Sequence, residues 1–251
     1  MIEEDVVLGP GNKVLAHGVV CSGTRMGTGN EVHYHAVVGH VPQHKHFDGK
    51  PTKTIIGNGN IFREGCQVHR GTGDDSDTII GDRCLVMALA HIAHDCKVGD
   101  DVVICNNTLV AGHVLIGDRA VLSGNVAIHQ SRTNRHDGDG RRREQRGARH
   151  SPYMMAVGNR PCLVTGLNIV GLRRAGITNE ARATLAQAFR ILYRSGLLLP
   201  DALARIADLG TAETQHLAAF VKRSTRGILS HGRYDDDDTE ETESGEAAQS
   251  D

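Results

Sequence analysis

The chain has 251 residues, enough for one large domain or two small ones, and it holds 30 Gly, four Phe, four Tyr and no Trp. So few rings exclude a core built on aromatic packing and suit one of stacked Val, Ile and Leu. The formal charge of −2 conceals an asymmetry: Asp235 to Asp251 contains nine acidic residues and no Lys or Arg, which leaves +7 for residues 1–234.

From the N-terminus, every sixth residue is apolar: Leu8, Val14, Val20, Met26, Val32 and Val38. A helix repeats near 3.6 and a plain strand at 2, so neither accounts for a period of six. Hexapeptide repeats predict a parallel β-helix, in which three short strands make one triangular coil and the aliphatic residue of each hexad points inward. The first rung comes only eight residues in, with no capping element before it. Exposed sheet edges normally need cover, so the reading is a late chain start or a cap supplied in some other way. The opening MIEEDVVLGP shows no basic and apolar leader. No stretch approaches the roughly 20 apolar residues of a membrane span, and a cytoplasmic location is expected.

Residues 41–54, VPQHKHFDGKPTKT, break the count. Loops of this length are often functional, and both a solvated loop and a lid over a site remain open. The count resumes at Ile56, Phe62 and Val68, pauses at Gly71–Asp77, and then runs through Ile80, Val86, Ile92, Val98, Ile104, Val110, Ile116, Leu122 and Ile128. Gly81, Gly99 and Gly117 follow rung residues at intervals of eighteen, and backbone freedom at the corners is their expected role. Cys66, Cys84 and Cys96 fall four residues after a rung, an offset shared with Ala90, Thr108 and Ala120. That slot wants a small side chain, so reduced, buried thiols are expected rather than disulfides or zinc ligands.

Residues 131–150 are anomalous. The next rungs fall at Asn134, Gly140 and Arg146, within a stretch of seven Arg, three acids and one hydrophobic residue, Ala148. On its face this is a disordered basic segment of nucleic-acid-binding type. The preferred reading is a compensated pair of frameshifts, which replaces the chemistry while keeping the spacing, so no nucleic-acid partner is expected. An alternative reading frame that restores aliphatic residues near 134, 140 and 146 tests this.

From Thr178 the period becomes helical. Thr178 is an N-cap candidate, Leu185, Phe189 and Leu192 follow, and Gly196 is a stop. Pro200 and Asp201 open a second helix with Leu203 and Ile206. A third runs from about Thr211 with Leu217, Phe220 and Val221. The expected organisation is therefore mostly β: a β-helix over 1–177, an α-helical domain over 178–230 with Arg190, Arg194, Lys222, Arg223 and Arg226, and a disordered acidic tail over 231–251.

The chemical centre is His91-Ile-Ala-His94-Asp95. Adjacent strand residues face opposite ways, so a His94–Asp95 contact needs a corner. With His69, His113 and His129 near one ladder position, the cluster marks a site more than a surface. Neutral His is a natural general base near pH 7. His clusters also bind metal, so a zinc site stays open.

The run His91-Ile-Ala-His94-Asp95-Cys96, then Asn106-Asn107, Leu109-Val-Ala-Gly112-His113-Val and Ala127-Ile-His129-Gln130, resembles the UDP-N-acetylglucosamine 3-O-acyltransferase family, whose reaction is the first committed step to lipid A. Pro152-Tyr153, Gly158-Asn159, Asn168-Ile-x-Gly-Leu-Arg-Arg174 and Arg223-Ser-Thr-Arg-Gly227 continue the match in order. It covers about residues 6–130 and 152–229, and several motifs in register make it specific.

The resemblance implies a left-handed parallel β-helix, a C-terminal helical domain and a homotrimer with sites between subunits. It implies transfer of a 3-hydroxyacyl chain from acyl carrier protein to the 3-hydroxyl of UDP-N-acetylglucosamine. His94 matches the general base, Asp95 its associated carboxylate and the Gly112 amide the oxyanion donor. His91, His113, His129 and Gln130 match sugar- or pantetheine-contacting positions. Asn159 and Arg174 match nucleotide- and carrier-side contacts. No metal or other cofactor is implied, because the acyl-phosphopantetheine arrives on its carrier as co-substrate.

The chain departs from the family in four places: it lacks an extra first coil, has His44 where an acidic residue is usual, has Ala175 where a further Arg is usual, and lacks the coil expected at 131–150. Alternatives are a hexapeptide acyltransferase for another nucleotide amino sugar, a γ-carbonic anhydrase-like zinc enzyme, and an inactive trimeric scaffold.

Overall fold

A stack of hexads with branched aliphatic residues at one position can bury that position only by winding. The computed structural model, which describes residues 1–73, 76–129, 148–158, 161–224 and 228–232, winds in this way. Val7–Leu8, Lys13–Val14 and Val19–Val20 belong to three different sheets, and Thr24–Met26 returns to the first. Sheets of seven, eight and six strands form the walls, and every pairing is parallel except that of Met154–Val157 with Leu163–Leu167. The molecule is mostly β, with parallel sheets and a helical C-terminal part.

The register records each interruption. Where the count is unbroken, partners lie eighteen residues apart, as in Ile80 with Val98 and Ile92 with Val110. Across the loop that begins after His40 they are thirty apart, Val38 with Val68. Across the Gly71–Asp77 turn they are twenty-four apart, Val68 with Ile92. Rung side chains from Val20 to Ile128 are 0–4% exposed and form one continuous core.

The spaced glycines work differently from the expectation. The positive φ angles sit two residues later, at Arg83, Asp101 and Arg119. What Gly81, Gly99 and Gly117 supply is room. A Cβ on Gly99 would lie 2.0 Å from Asp118 Oδ1 and 2.8 Å from the Asp118 backbone nitrogen. There the carboxylate column Asp82, Asp100, Asp118 caps amides one coil below, Asp118 Oδ1 accepting from Asp100 N–H at 2.9 Å and Asp100 Oδ1 from Asp82 N–H at 2.8 Å. The small-residue slot is filled by Cys66, Cys84, Ala90, Cys96, Thr108 and Ala120, each buried, and all six cysteines are free.

The rungs expected at 134, 140 and 146 lie outside the described residues, as do Arg226 and residues 233–251 of the expected tail; His231, at its start, is instead bridged to Val164. The wall resumes with Arg149–His150, paired with Leu115 and Ile116. His150 therefore takes the rung above Ile116 at a separation of thirty-four residues, and Ala156 follows above Leu122. The imidazole is fully buried against the backbone of Val121 and Met154, whose contacts favour its protonated form, but among the described residues neither ring nitrogen makes a hydrogen bond of good geometry. Burial pushes its pKa down to about 4.

The helical part starts before residue 178, with α1 (Ile169–Arg174). It is capped by Asn168, whose Oδ1 accepts from Gly171 N–H at 2.9 Å. α2 (Asn179–Arg194) is capped by Thr178, α3 (Leu199–Ala207) carries Pro200 in its first turn, and α4 (Ala212–Lys222) is capped by Thr211. Their apolar faces bury Leu172, Leu185, Phe189, Ile206, Leu217 and Val221 together with Tyr153, Met154 and Val164. Tyr153, His216 and Asp118 join this core to the prism, with Tyr153 Oη 2.7 Å from His216 Nδ1 and His216 Nε2 3.4 Å from Asp118 Oδ2. Among the described residues no helix is long and apolar enough to cross a membrane.

Candidate active site

The strand His91–Ile92 ends at a corner where Asp95 takes φ 62°. This left-handed residue reverses the strand's alternation, so consecutive side chains face each other and His94 Nδ1 lies 2.7 Å from Asp95 Oδ2. Both residues are 6% exposed. Thr72 completes the carboxylate's shell, its N–H donating to Oδ1 at 2.9 Å and its hydroxyl to Oδ2 at 2.6 Å. Thr78 fixes the corner from below by accepting Asp95 N–H at 2.8 Å. Burial raises the Asp95 carboxyl, but bonds from His94 and Thr72 outweigh it and hold the pKa at about 2. A permanently ionised Asp95 accepts the Nδ1 proton of His94 and leaves the lone pair on Nε2.

One coil above, Gly112 packs against the His94 ring; a Cβ there would stand 2.4 Å from Cε1 and 2.7 Å from Nε2. His113, the next residue, has φ 61° and places Nε2 3.3 Å from Asp95 Oδ2. Burial lowers its proton affinity, Asp95 opposes that, and His94 and His44 add to it. His91 faces outward on the same coil as His94, with its ring centre 4.9 Å from that of His69 on the coil below. Its pKa is pushed down to about 4 by burial first and then by His69 and His94. His91 and His129 line a groove of about 360 Å³ with Gln43, Leu109 and Ala127.

Residues 41–53 cross this face. His69 is 3% exposed and its Nδ1–H donates to Val41 O at 2.7 Å, Thr52 Oγ1 donates to Gly71 O at 2.6 Å, and Arg70 stacks over Phe47 at 5.8 Å. His44 thereby reaches His94, edge-on at 5.3 Å between ring centres.

The structure thus brings His94, Asp95, Gly112 and His113 together and sets His91 and His129 in the adjoining groove. Arg174 ends α1 with an exposed side chain and has no contact with the cluster among the described residues. Gln130 and Asn159 lie outside the described residues. Sequence reasoning passed over Thr78 and Gln43; the run His69 to Thr72 reads from sequence as either structural or site-lining, which leaves Thr72 undecided. The Thr72 signal was the His69-Arg-Gly-Thr72 run beside a break in the count.

Residues 77–112 match the family described as bacterial transferase hexapeptide (six repeats), and residues 151–229 match UDP N-acetylglucosamine O-acyltransferase, domain 2. Over 214 residues the chain is 39% identical to an acyl-[acyl-carrier-protein]–UDP-N-acetylglucosamine O-acyltransferase of Verminephrobacter eiseniae, covering 82% of this chain and 81% of that one. The chain belongs to the acyl-[acyl-carrier-protein]–UDP-N-acetylglucosamine O-acyltransferase family. Among solved members, LpxA from Acinetobacter baumannii superposes with a TM-score of 0.71 at 34% identity, covering 91% of this chain and 94% of that one. The UDP-N-acetylglucosamine acyltransferase from Arabidopsis gives 0.68 at 27% identity, with 91% of each chain covered.

Proposed function

We propose that this chain transfers a 3-hydroxyacyl group from acyl carrier protein to the 3-hydroxyl of UDP-N-acetylglucosamine, the first step of lipid A biosynthesis. The observation that carries the reading is the 2.7 Å His94–Asp95 pair with Gly112 stacked on the imidazole. His94 Nε2 takes the sugar hydroxyl proton as the oxygen attacks the thioester carbonyl carbon. The carbon–sulfur bond then breaks, and the carrier's thiolate leaves with the proton that His94 held. Asp95 keeps the tautomer and stabilises the imidazolium. The Gly112 N–H donates to the oxyanion, a contact typically worth ~3 kcal/mol of barrier.

His91, His113, His129 and Gln130 would contact sugar or pantetheine along the groove, and Asn159 and Arg174 the nucleotide and carrier. Exposed Arg174, Arg190, Arg194, Lys222 and Arg223 on the helical part suit an acidic carrier protein. The coil is left-handed, three copies assemble with sites between subunits, and no cofactor beyond the carrier-bound acyl group takes part. The six free thiols fit a cytoplasmic setting.

His94→Ala tests the reading. It should cut kcat by about 10²–10⁴ and leave the assembled state unchanged; near-normal turnover removes His94 from the mechanism.

A further inference from the structure

The last described stretch of the chain is tied down beside basic helix ends. Val164 N–H donates to Ser230 O at 2.8 Å, and His231 Nδ1–H donates to Val164 O at 2.7 Å. His231 Nε2 accepts from Arg194 Nε–H at 3.1 Å, with its ring against Phe189 and Tyr193 of α2. Leu229 N–H donates to Arg149 O, and Arg149 Nη1 donates to Arg223 O at the end of α4. Residues 229–232 therefore run past the ends of two helices, one carrying Arg190 and Arg194, the other Lys222 and Arg223. These four cations are exposed, and among the described residues none of them pairs with a carboxylate. On the prism, by contrast, Lys13, Arg25, Arg63, Arg83 and Arg119 each hold one. Gathered charge of one sign raises the local potential and attracts a segment of the other.

We propose that the acidic residues 235–251 dock on this basic surface of their own helical part and so compete with acyl carrier protein for it. The docking stands on charge and attachment; the competition rests on the function proposed above.

Sequence and attachment together name the occupant. Only Arg233 and Tyr234 separate Gly232 from Asp235, and the seventeen residues that follow hold nine acids and no Lys or Arg. Extended, seventeen residues span at most about 60 Å, enough to reach both helix ends from the point of attachment. A segment joined through so short a connection meets its site at about millimolar effective concentration, so even a weak contact keeps the surface occupied. Occupancy of that order raises the apparent KM of a competing carrier about two- to tenfold. A carrier acidic enough to be drawn to these cations has the sign of the tail, and the two cannot share them. Salt screens exposed pairs, so the effect belongs to low ionic strength.

The test uses the full chain. A water-soluble carbodiimide joins carboxylates to amines in contact, and Lys222 is the sole lysine after Lys97. At low salt, mass mapping should place the couplings of residues 235–251 mainly on Lys222, and about 0.5 M salt should abolish them. Couplings spread over the prism lysines, or none on Lys222, overturn the docking. Replacing all nine acids by Asn or Gln should lower KM for 3-hydroxyacyl-acyl carrier protein about two- to tenfold and hold kcat. The free peptide 235–251 should restore the higher KM, competitively with the carrier. A reshuffled tail of the same composition should behave as the parent, and loss of the effect on reshuffling overturns charge as its basis. An unchanged KM, or a peptide without effect on the neutralised chain, overturns the competition. If the chain transfers no acyl group at all, the couplings still decide the docking, and the functional reading fails separately.

Discussion

Gly112→Ala would put a methyl carbon 2.4 Å from Cε1 of His94, inside any van der Waals contact, and the imidazole must move off its line to Asp95. We expect kcat to fall at least about 10²-fold, since misplacing a base by an ångström carries such penalties. Gly166→Ala, with nothing within 4 Å of its new Cβ, should leave turnover unchanged; steady-state kinetics of the two variants distinguishes local displacement from general damage. Thr72→Val removes the 2.6 Å hydroxyl bond to Asp95 and keeps the amide bond, so a smaller loss, about tenfold in kcat with KM held, is expected. At this scale the sequence was legible where residue type alone carries chemistry, as in His94 and Asp95. It left Thr72 undecided, a residue common in turns whose role depends on a bond across a coil. Sequence also left open whether His94 and Asp95 could meet, because that hinges on the left-handed conformation three residues after each rung, at Leu89, Asp95, Asp101, Asn107 and His113, which residue type does not announce.

The rungs were the most legible elements, because a six-residue period has one geometric explanation and each rung side chain is inside the prism. The glycines were read correctly as necessary and wrongly as hinges. The strain they avoid comes from the next coil, a carboxylate at Gly81 and Gly99 and the Pro152 ring at Gly117, which is invisible along the chain. Gly99→Ala should therefore destabilise by about 1–3 kcal/mol through overpacking, measurable by chemical denaturation. α1 went unseen because six residues hold too few turns for a helical period, and Asn168 was read as motif rather than cap. His150 was hidden for a different reason: an imidazole at a rung violates the rule by which rungs are found. Its folded pKa, about 4, lies below the ordinary His value near 6.5, so the unfolded chain binds a proton that the folded chain refuses. Stability present above pH 6.5 should drain away as pH falls toward 4. His150→Val should raise the melting temperature, remove the poorly bonded polar ring and flatten that part of the pH profile. An unaltered profile would mean the imidazole is solvated.

For the whole molecule, the proposed function assigns the exposed arginines of the helical part and the groove beside His94 to one encounter with an acidic carrier. Arg174→Glu with Arg223→Glu should lower kcat/KM at low ionic strength and abolish its salt dependence, since Debye screening leaves little of a surface charge pair beyond about 10 Å at 0.1 M salt. Sedimentation equilibrium should find three chains per particle. The basic stretch at 131–150 stays a matter for the coding sequence: the described wall passes from Ile128 to Arg149–His150, and aliphatic codons in another frame would supply the expected coil. The central claim, that a His–carboxylate pair at a β-helix corner drives acyl transfer to a nucleotide sugar, meets its most direct test in one assay. Purified chain and its His94→Ala variant are incubated with 3-hydroxyacyl-acyl carrier protein and UDP-N-acetylglucosamine, and the product is identified by mass. The account predicts a 3-O-acylated nucleotide sugar from the parent chain and about 10²–10⁴-fold less per unit time from the variant. No acylated sugar from the parent, or equal rates from both, would contradict it.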